Sequence, residues 1–419
     1  MNLSRSINKK IKKAFASDSL LYIDEVNDGL VRGWAALNGD LSASVVVEIY
    51  SSKECVCVVS NQFRADVRRS GQHSTGFCGF NFNISTWADK NVSVRVLGAC
   101  DTPQVKSFNP TFFIHIPKTA GTSFKRAAEQ YFGFDGVARN YGAKSPETTG
   151  WIKDAVLDNK DFPLLYENLT KEGVGLYTGH VNAFPAADVF NIQNIITFIR
   201  DPYEQVQSHF NHYARWYGYE KSIEEFVVNP GFKNLQSRHL KGLPIQLMGF
   251  IGVTERYSES IDLFNKHSGW NLEAREDNAN QKKAITSINE SMKELIASEN
   301  TQDLYLYACA TKLFSERCEL EIQNKEWCYS FIDRLNEKCV SGVAYMAKSE
   351  DCVFLLVCLK GKLLGRCVSN ESRPGLLRFG VPNKGFVGFS FALPSGIELA
   401  DVTVQVESTG QVIQGKTTL

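Results

Sequence analysis

The chain has 419 residues, more than a single domain usually holds, so its length predicts two or three domains. Lysine and arginine together number 46, and aspartate and glutamate also number 46, so the formal net charge is zero. A neutral chain has no global field that attracts nucleic acid. We therefore expect no nucleic-acid partner, and any anion site must be local.

The eleven cysteines form neither a metal-binding nor a disulfide pattern. None lies between Cys100 and Cys309, and no C-x-x-C or C-x-x-H spacing is present. Several lie in apolar, strand-like runs, where free cysteine packs as a small hydrophobe. There is no apolar run of 18 residues and no signal-peptide core. We expect a reduced, cytoplasmic protein with no bound metal.

Residues 1–18 predict a basic amphipathic helix. Apolar residues recur at every fourth position and basic residues fill the other faces: Leu3, Ile7, Ile11 and Phe15 against Arg5, Lys9, Lys10, Lys12 and Lys13. This pattern is typical of a helix that lies on an anionic membrane surface. A frayed leader, or a helix docked on its own protein, fits the pattern equally well. Peripheral contact of residues 1–15 with the inner face of the membrane is thus one of two open interpretations.

An internal repeat brackets the centre of the chain. The segment 76–82 (GFCGFNF) returns at 385–391 (GFVGFSF), and Gly33 and Gly342 share the same offset of 309 residues. Short β-branched runs separated by Gly, Asn and Ser predict a small antiparallel β-sandwich in each copy. We therefore expect β modules at 19–108 and 336–419 around a central domain at 109–335. A scaffold role is the default for the modules, and glycan binding through aromatics such as Trp34 or Tyr50 is the alternative.

The central domain alternates strand-like and helical segments. Residues 112–116 and 195–199 are continuous apolar runs, as buried parallel strands should be, and helical stretches follow them. This order predicts an open α/β sheet that binds its ligands at the carboxyl ends of the strands.

The first of these strands leads into H-I-P-K-T-A-G-T-S-F, residues 115–124. A small-residue turn between a strand and a helix offers backbone N–H groups, hydroxyls and a cation to a phosphate. The residues concerned are Lys118, Thr119, Gly121, Thr122 and Ser123. The lysine precedes the glycine, whereas nucleotide kinases need G-x-x-x-x-G-K-[ST].

The second strand leads into R-D-P-Y-E-Q-V-Q-S-H-F, residues 200–210. Asp201 is predicted as the N-cap, with Pro202 at the first helical position and Glu204 completing a capping box. Arg200 then lies at the strand end and Ser208 about two turns into the helix, where both can bind a second phosphate. A structural arginine at a helix start is the alternative. Two phosphate sites on neighbouring strand ends fit a bis-phosphorylated nucleotide better than a triphosphate.

Together these two motifs resemble the 5′-phosphosulfate loop and the 3′-phosphate site of sulfotransferases that use 3′-phosphoadenosine 5′-phosphosulfate (PAPS). The closest similarity is to the carbohydrate group that includes heparan sulfate 2-O-sulfotransferases. Segments 177–181 (YTGHV), 234–238 (NLQSR) and 252–256 (GVTER) also resemble that family. The resemblance covers residues 109–307. It implies a P-loop-like open parallel sheet as the sulfotransferase core, flanked by the two small antiparallel β-sandwich modules.

The resemblance also implies the chemistry. PAPS would be the co-substrate, adenosine 3′,5′-bisphosphate the product, and a hydroxyl of a polysaccharide, glycolipid or lipid-linked glycan the acceptor, with no metal. Lys118 would act on the oxygen that bridges phosphate and sulfate. The 5′-phosphate would be held by Thr119, Ala120, Gly121, Thr122 and Ser123. Arg200 and Ser208 would hold the 3′-phosphate.

His180 matches the position from which a histidine acts as base in the 2-O-sulfotransferases, and a neutral imidazole can accept the proton of a hydroxyl near pH 7. A structural histidine beside the co-substrate is the alternative. The rival bases are His115, Glu204, His209 and His212. His209 and His212 have the spacing of a metal-ligand pair, but no third ligand is evident.

The acceptor site is less distinct. Basic residues cluster at Lys233, Arg238, His239 and Lys241, which fits an acidic sugar, the nucleotide or a solvated loop. Two other functions compete with sulfotransfer: a nucleotide-dependent kinase of the P-loop class, and a glycan-binding scaffold without catalysis.

Overall fold

The computed structural model describes residues 19–26, 29–85, 87–99, 109–274, 288–346, 349 and 351–417. The fold is mixed α/β, with one five-stranded parallel sheet and four small antiparallel sheets. The basic helix predicted for residues 1–18, and with it the predicted membrane contact, lies outside the described residues. No helix in the described part of the chain combines the length and the apolar character that crossing a membrane requires.

The first sandwich is formed by seven strands and one short helix. They are β1 (Ser19–Val26), β2 (Leu30–Leu37), β3 (Val45–Tyr50), β4 (Cys55–Val59), β5 (Gln62–Phe63), α1 (Ala65–Arg69), β6 (Phe77–Asn83) and β7 (Ser93–Ala99). Two antiparallel sheets result, with strand orders β1-β2-β6-β5 and β4-β3-β7. The core lies between them and includes Val31, Val47 and Phe80, which face inward because side chains alternate along a strand.

The central part alternates strands and helices in chain order. These elements are β8 (Thr111–Ile114), α2 (Gly121–Phe132), β9 (Val137–Asn140), α3 (Gly150–Ile152, continuing as a π-helical turn over Lys153–Asp158), α4 (Phe162–Lys171), β10 (Leu176–Gly179), β11 (Ile195–Ile199), α5 (Pro202–Trp216), α6 (Ile223–Val228), α7 (Leu235–Leu240), β12 (Phe250–Val253), α8 (Tyr257–Ser268), α9 (Glu290–Glu299) and α10 (Thr301–Ile322).

The central sheet is parallel throughout, with strand order β12-β11-β8-β10-β9. Every residue of β9, β10, β11 and β12 is buried. Burial on both faces explains the apolar character of β11 and β12, whereas β9 also buries the polar residues Arg139 and Asn140. Strand β8 is central, with β10 and β11 as its neighbours. The residues that follow β8, β10 and β11 therefore come together at one edge of the sheet.

A second sandwich follows the last long helix. Its strands are β13 (Cys328–Leu335), β14 (Cys339–Met346), β15 (Phe354–Leu359), β16 (Lys362–Val368), β17 (Glu371–Ser372), β18 (Phe386–Ala392) and β19 (Val402–Val406). The strand orders, β13-β14-β18-β17 and β16-β15-β19, repeat those of the first sandwich.

The repeat extends further than its sequence motifs indicated. Strands β1 and β13 start 309 residues apart, and the irregularity between Ile23 and Glu25 in β1 recurs between Ile332 and Arg334 in β13. Strand β13 lies within residues 109–335, which we predicted as the central domain, and it pairs with β14 of the second sandwich. The end of β13 is exposed and contains Asp333 and Arg334, so it lacks the apolar pattern of a strand.

The described chain divides into two compact units. The first holds the chain up to Asn109 together with Asp161–Lys171, and the second holds Pro110–Lys160 and the chain from Glu172 onward. Within the first unit, the Tyr166 ring of α4 stacks on Phe63 with ring centroids 4.7 Å apart. Helix α4 thus belongs to the compact unit of the first sandwich, although it lies within residues 109–335, which we predicted as the central domain.

The second unit joins the parallel sheet to the second sandwich. Gln246 Nε2 donates to the Gly415 carbonyl at 2.8 Å, and the Tyr329 hydroxyl donates to the Gly249 carbonyl at 3.3 Å. The buried guanidinium of Arg317 lies 5.1 Å from the centre of the Trp327 ring. These contacts make the second sandwich a structural part of the unit that carries the candidate site.

Candidate functional site

The loop between β8 and α2 has an unusual backbone. Lys118 and Ala120 both have positive φ, 68° and 62°. A left-handed conformation costs a non-glycine residue of order 1–3 kcal/mol and concentrates at functional sites. Alternation of left- and right-handed residues turns successive N–H groups toward one concavity, which is the geometry of an anion nest.

Helix α2 begins directly after this loop and has no side-chain cap. Ala120 occupies the N-cap position, and the first turn carries no acidic residue. The N–H groups of the first turn, including those of Gly121, Thr122 and Ser123, have no intrahelical partner. They and the helix dipole therefore favour an external anion at this end.

Thr119 and Gly121 of the motif stabilise the structure of the loop. Thr119 is fully buried, and its hydroxyl donates to the Ile116 carbonyl at 3.0 Å. The proton of its hydroxyl is thus used to close the turn. A Cβ on Gly121 would lie 2.0 Å from the His115 ring, so only glycine fits at this position.

The structure brings Lys118 and Arg200 together from the two sequence motifs. Arg200 Nη1 donates to the Lys118 carbonyl at 3.4 Å. Burial, and then the charges of Arg200 and Arg215, lower the pKa of Lys118 below its usual 10.5. Within the described residues no carboxylate pairs with the Lys118 ammonium. Its charge is therefore uncompensated, and a bound anion would relieve the repulsion among these cations.

Arg200 has acidic neighbours but keeps an unused donor. Its Nη2 lies 3.3 Å from a Glu204 carboxylate oxygen, and its Nε lies 3.9 Å from one of Glu255. That Nε is buried and makes no hydrogen bond to any described residue. A buried donor without a partner is costly, so a ligand oxygen at this position would be favourable.

The predicted capping box at the start of α5 is half correct. Asp201 is the N-cap, since its side chain accepts from Tyr203 N and Glu204 N at 2.9 and 3.2 Å. Glu204 does not complete the box: it pairs with Arg200, and Asp201 N donates to Glu255 instead, at 2.9 Å. Glu255 follows β12, and nothing in the local sequence around Asp201 indicates that contact.

Two buried glutamines that sequence reasoning missed position the site. Gln236 Oε1 accepts from Arg200 N at 2.9 Å and its Nε2 donates to Arg200 O at 2.8 Å. Gln205 Nε2 donates to the Pro117 carbonyl at 3.1 Å, which joins α5 to the loop before Lys118. Half-buried Ser208 lies three residues after Gln205 and so on the same helical face. Gln236 lies in segment 234–238, and the resemblance of this segment to the sulfotransferases was the only feature of the sequence that indicated a role for it.

His180 follows β10 and is held in one tautomer. Its Nδ1 lies 2.9 Å from the His115 carbonyl, which can only accept, so Nδ1 carries the proton and Nε2 the lone pair. The ring is solvent-exposed on one side and packs against His115 and Tyr141 on the other, with centroids at 4.3 and 5.0 Å. Loss of solvation, with smaller effects of Lys125 and Lys118, lowers the pKa of His180 below 6.5. His180 is thus a neutral base near pH 7.

Two of the rival bases, His115 and His209, have structural surroundings. His115 is buried, its Nδ1 bonds the Tyr141 hydroxyl at 2.9 Å, and burial holds its pKa well below 6.5. His209 is buried among aromatic rings, including Tyr213 at 4.9 Å, and burial lowers its pKa to about 3. No three His, Cys, Asp or Glu side chains in the described part of the chain are grouped as metal ligands.

The basic cluster predicted for the acceptor is largely engaged within the protein. Arg238 donates to the Pro230 and Gly231 carbonyls at 2.8 and 2.7 Å, and Lys233 pairs with Glu299. His239 is buried, and its Nδ1 donates to the Val181 carbonyl at 3.0 Å. Only Lys241 of this cluster is exposed without such an engagement. The cluster therefore does not form a common acceptor surface.

The aromatic residues considered for glycan binding on the first sandwich are not open platforms. Trp34 is 7% exposed and contributes to a core. Tyr50 is half-buried and lies under the Arg95 guanidinium, 5.2 Å from its ring centre.

Comparison with protein-family models gives no match, and comparison with curated proteins gives none either. Among solved structures, a carbohydrate acetylesterase from Xanthomonas citri aligns over 92% of both chains with 8% identity and a TM-score of 0.16. A similarity this low carries no inference about fold or activity.

Proposed function

We propose that this protein is a PAPS-dependent sulfotransferase that transfers a sulfuryl group to a hydroxyl of a carbohydrate, with the parallel sheet as a P-loop-like core. The observation that carries the proposal is the convergence of Lys118, Arg200 and the uncapped start of α2 at one sheet edge beside His180. Lys118 follows β8 and Arg200 follows β11. Cations after two different strands suit a nucleotide that carries a phosphate at each end.

Different groups of the protein would bind the two phosphates of the nucleotide. The first-turn N–H groups of α2, with Thr122 and Ser123, suit the 5′-phosphate because they form an anion nest at a helix start. The unused Nε of Arg200 and the hydroxyl of Ser208 suit the 3′-phosphate. The Gln205 bond to Pro117 fixes the distance between these two sets.

PAPS, when bound, supplies an activated sulfuryl group on its 5′-phosphate. His180 Nε2 accepts the proton of the acceptor hydroxyl as the new oxygen–sulfur bond forms and the bond to the bridging oxygen breaks. Lys118 stabilises the negative charge that develops on the departing adenosine 3′,5′-bisphosphate. The protein then holds one proton on His180, which leaves to solvent.

Nucleotide binding tests the proposal directly. We expect adenosine 3′,5′-bisphosphate to raise the thermal midpoint and to bind in calorimetry, whereas adenosine 5′-monophosphate binds more weakly because it lacks the 3′-phosphate. Lys118→Ala and Arg200→Ala should each weaken binding by about tenfold or more, as loss of a charge-assisted contact requires.

Two outcomes would contradict the proposal in different ways. Stabilisation by ATP with Mg²⁺ but not by the bisphosphate would identify a nucleotide kinase. Failure to bind either nucleotide, in a protein with an intact thermal transition, would leave a glycan-binding scaffold as the function. Sulfate transfer from labelled PAPS to a panel of glycans then tests the activity itself.

A further inference from the structure

Helices α7 and α10 cap each other's N-termini. Both helices lie wholly within the described residues, and neither donates an N–H group to the side chain of its own N-cap residue. Instead, Gln236 N and Ser237 N of α7 donate to the two carboxylate oxygens of Asp303 at 3.1 and 2.7 Å. Asn234 Oδ1 accepts in return from Asp303 N at 3.3 Å. The start of α7 is therefore fixed by α10.

Asp303 is a buried capping carboxylate that links α10 to Arg200. It is 2% exposed, and the Ser237 hydroxyl also donates to it, at 2.6 Å. Loss of one carboxylate oxygen would leave a backbone N–H group of α7 without a partner, which is costly in a buried place. Gln236, whose N–H group Asp303 accepts, bonds both the N–H and the carbonyl of Arg200 through its own side chain. Asp303 thus acts on Arg200 through Gln236.

Tyr307 lies one turn after Asp303 on the same face of α10. Its hydroxyl donates to Glu255 Oε2 at 3.2 Å, and burial, followed by the charge of Glu255, raises the pKa of Tyr307, so the hydroxyl keeps its proton. The other oxygen of Glu255, Oε1, accepts from Asp201 N at 2.9 Å and lies 3.9 Å from Arg200 Nε. Tyr307 therefore holds this carboxylate short of a hydrogen bond with Arg200 Nε.

We propose that Asp303 and Tyr307 of α10 are positioning residues for the 3′-phosphate of the nucleotide. This inference rests on the proposed function and names what sets the nucleotide preference of that site. Asp303 fixes the backbone of Arg200 through Gln236, and Tyr307 keeps the Glu255 carboxylate from pairing with Arg200 Nε. That Nε is buried and makes no hydrogen bond to any described residue, so it remains available to a phosphate oxygen.

Calorimetry with two nucleotides tests this inference in the full-length protein. The probes are adenosine 3′,5′-bisphosphate and adenosine 5′-monophosphate, which differ only in the 3′-phosphate. The ratio of their dissociation constants therefore measures the contribution of that phosphate. In the unmodified protein we expect the bisphosphate to bind at least about tenfold more tightly than the monophosphate.

Tyr307→Phe removes one hydroxyl and keeps the ring. The released Glu255 carboxylate can then pair with Arg200 Nε, and the 3′-phosphate must displace it. We expect the bisphosphate to bind about three- to tenfold more weakly and the monophosphate to bind as before. In a Glu255→Gln background the same change should leave the ratio unaltered, because the competing charge is gone. Tyr305→Phe, which removes the hydroxyl of an exposed ring on α10, is the matched control and should keep the unmodified ratio.

Asp303→Asn replaces one capping oxygen by an amide nitrogen that cannot accept a hydrogen bond. We expect affinity for the bisphosphate to fall by about tenfold or more, with the monophosphate affinity retained and a lower thermal midpoint. Leu313→Ala separates this effect from a general loss of stability. It removes another buried side chain of α10, so it should also lower the thermal midpoint but keep the unmodified ratio.

Contrary results overturn different statements. If Tyr307→Phe or Asp303→Asn weakened both nucleotides equally, or neither, the positioning role of that residue would be wrong. The proposed function would still stand as long as the unmodified protein prefers the bisphosphate. If the unmodified protein bound neither nucleotide, or both equally well, the proposed function would be wrong, and this inference with it.

Discussion

At the scale of single residues, the proposed base His180 is held by the backbone carbonyl of His115. Because Nδ1 donates to the His115 carbonyl, His180→Asn can keep that bond through its amide while losing the lone pair of Nε2. We expect turnover with labelled PAPS to fall by about 10²- to 10⁴-fold. The affinity for adenosine 3′,5′-bisphosphate should stay unchanged, and a variant with normal turnover would show that the base is elsewhere.

The pH dependence of the proposed activity in the unmodified protein follows from the direction of the pKa shift of His180. The His180 pKa is lowered below 6.5, so the ring is neutral above that pH and catalysis should not depend on its titration there. Activity should fall only below pH 6.5, as the ring becomes protonated. A kcat/KM profile that declines already between pH 8 and 7 as the pH is lowered would contradict this assignment.

Residue types and spacing predicted which side chains meet, but not all of their partners. Lys118 and Arg200 are in contact, and His180 follows the strand next to β8, because strand ends of a parallel sheet share one edge. The roles of Glu204 and the Thr119 hydroxyl were not predictable. Glu255 follows a different strand and displaces Glu204 from the capping box, and the Ile116 carbonyl becomes an acceptor only once the turn has formed.

At the scale of elements, the junction of β8, the loop and α2 depends on one close approach. Gly121→Ala would place a Cβ 2.0 Å from the His115 ring, so the ring or the helix start must move. We expect about a tenfold or greater loss of affinity for adenosine 3′,5′-bisphosphate, since the nest N–H groups would lose their alignment.

The matched control for this variant is Gly150→Ala. Gly150 begins helix α3, and a Cβ there meets nothing within 4 Å. The control should keep nucleotide affinity and gain a small amount of stability, because alanine loses less entropy than glycine in a helix. Equal affinities of the two variants would show that the His115–Gly121 contact does not shape the phosphate loop.

Elements with strong patterns were predictable from sequence. Strands β3, β4 and β19 lie in the predicted modules, and their residues are β-branched or alternate in burial, which is the pattern that predicted strands there. Strand β13 was missed, and with it the start of the second sandwich. The polar end of this strand is exposed, so only its pairing with β14 identifies it.

At the scale of the whole molecule, the repeat predicts matched responses in its two copies. A Cβ on Gly33 would lie 2.2 Å from the Tyr22 carbonyl oxygen, and one on Gly342 would lie 2.1 Å from that of Phe331. Gly33→Ala and Gly342→Ala should therefore disrupt the β1–β2 and β13–β14 pairs respectively. Hydrogen exchange followed by mass spectrometry should show faster exchange in the sandwich that carries the change.

Gly39→Ala and Gly375→Ala are the controls for this pair, since a Cβ at either position meets nothing within 4 Å. Both should exchange like the unmodified protein. If Gly33→Ala and Gly342→Ala left the protection of the β1–β2 and β13–β14 strands unchanged, the prediction would be wrong. The strands would then accommodate the added Cβ without loss of pairing.

The duplication of the sandwich has a consequence for how the chain folds during synthesis. Two sheets with the same strand order and the same irregularities invite exchange of equivalent strands, a common failure of repeat proteins. The strands of the first copy end at Ala99, and those of the second begin at Cys328. At ribosomal speed the intervening stretch takes roughly ten to fifty seconds to emerge. The first copy can thus complete its sheets before its competitor exists, and translation order protects the fold from mispairing.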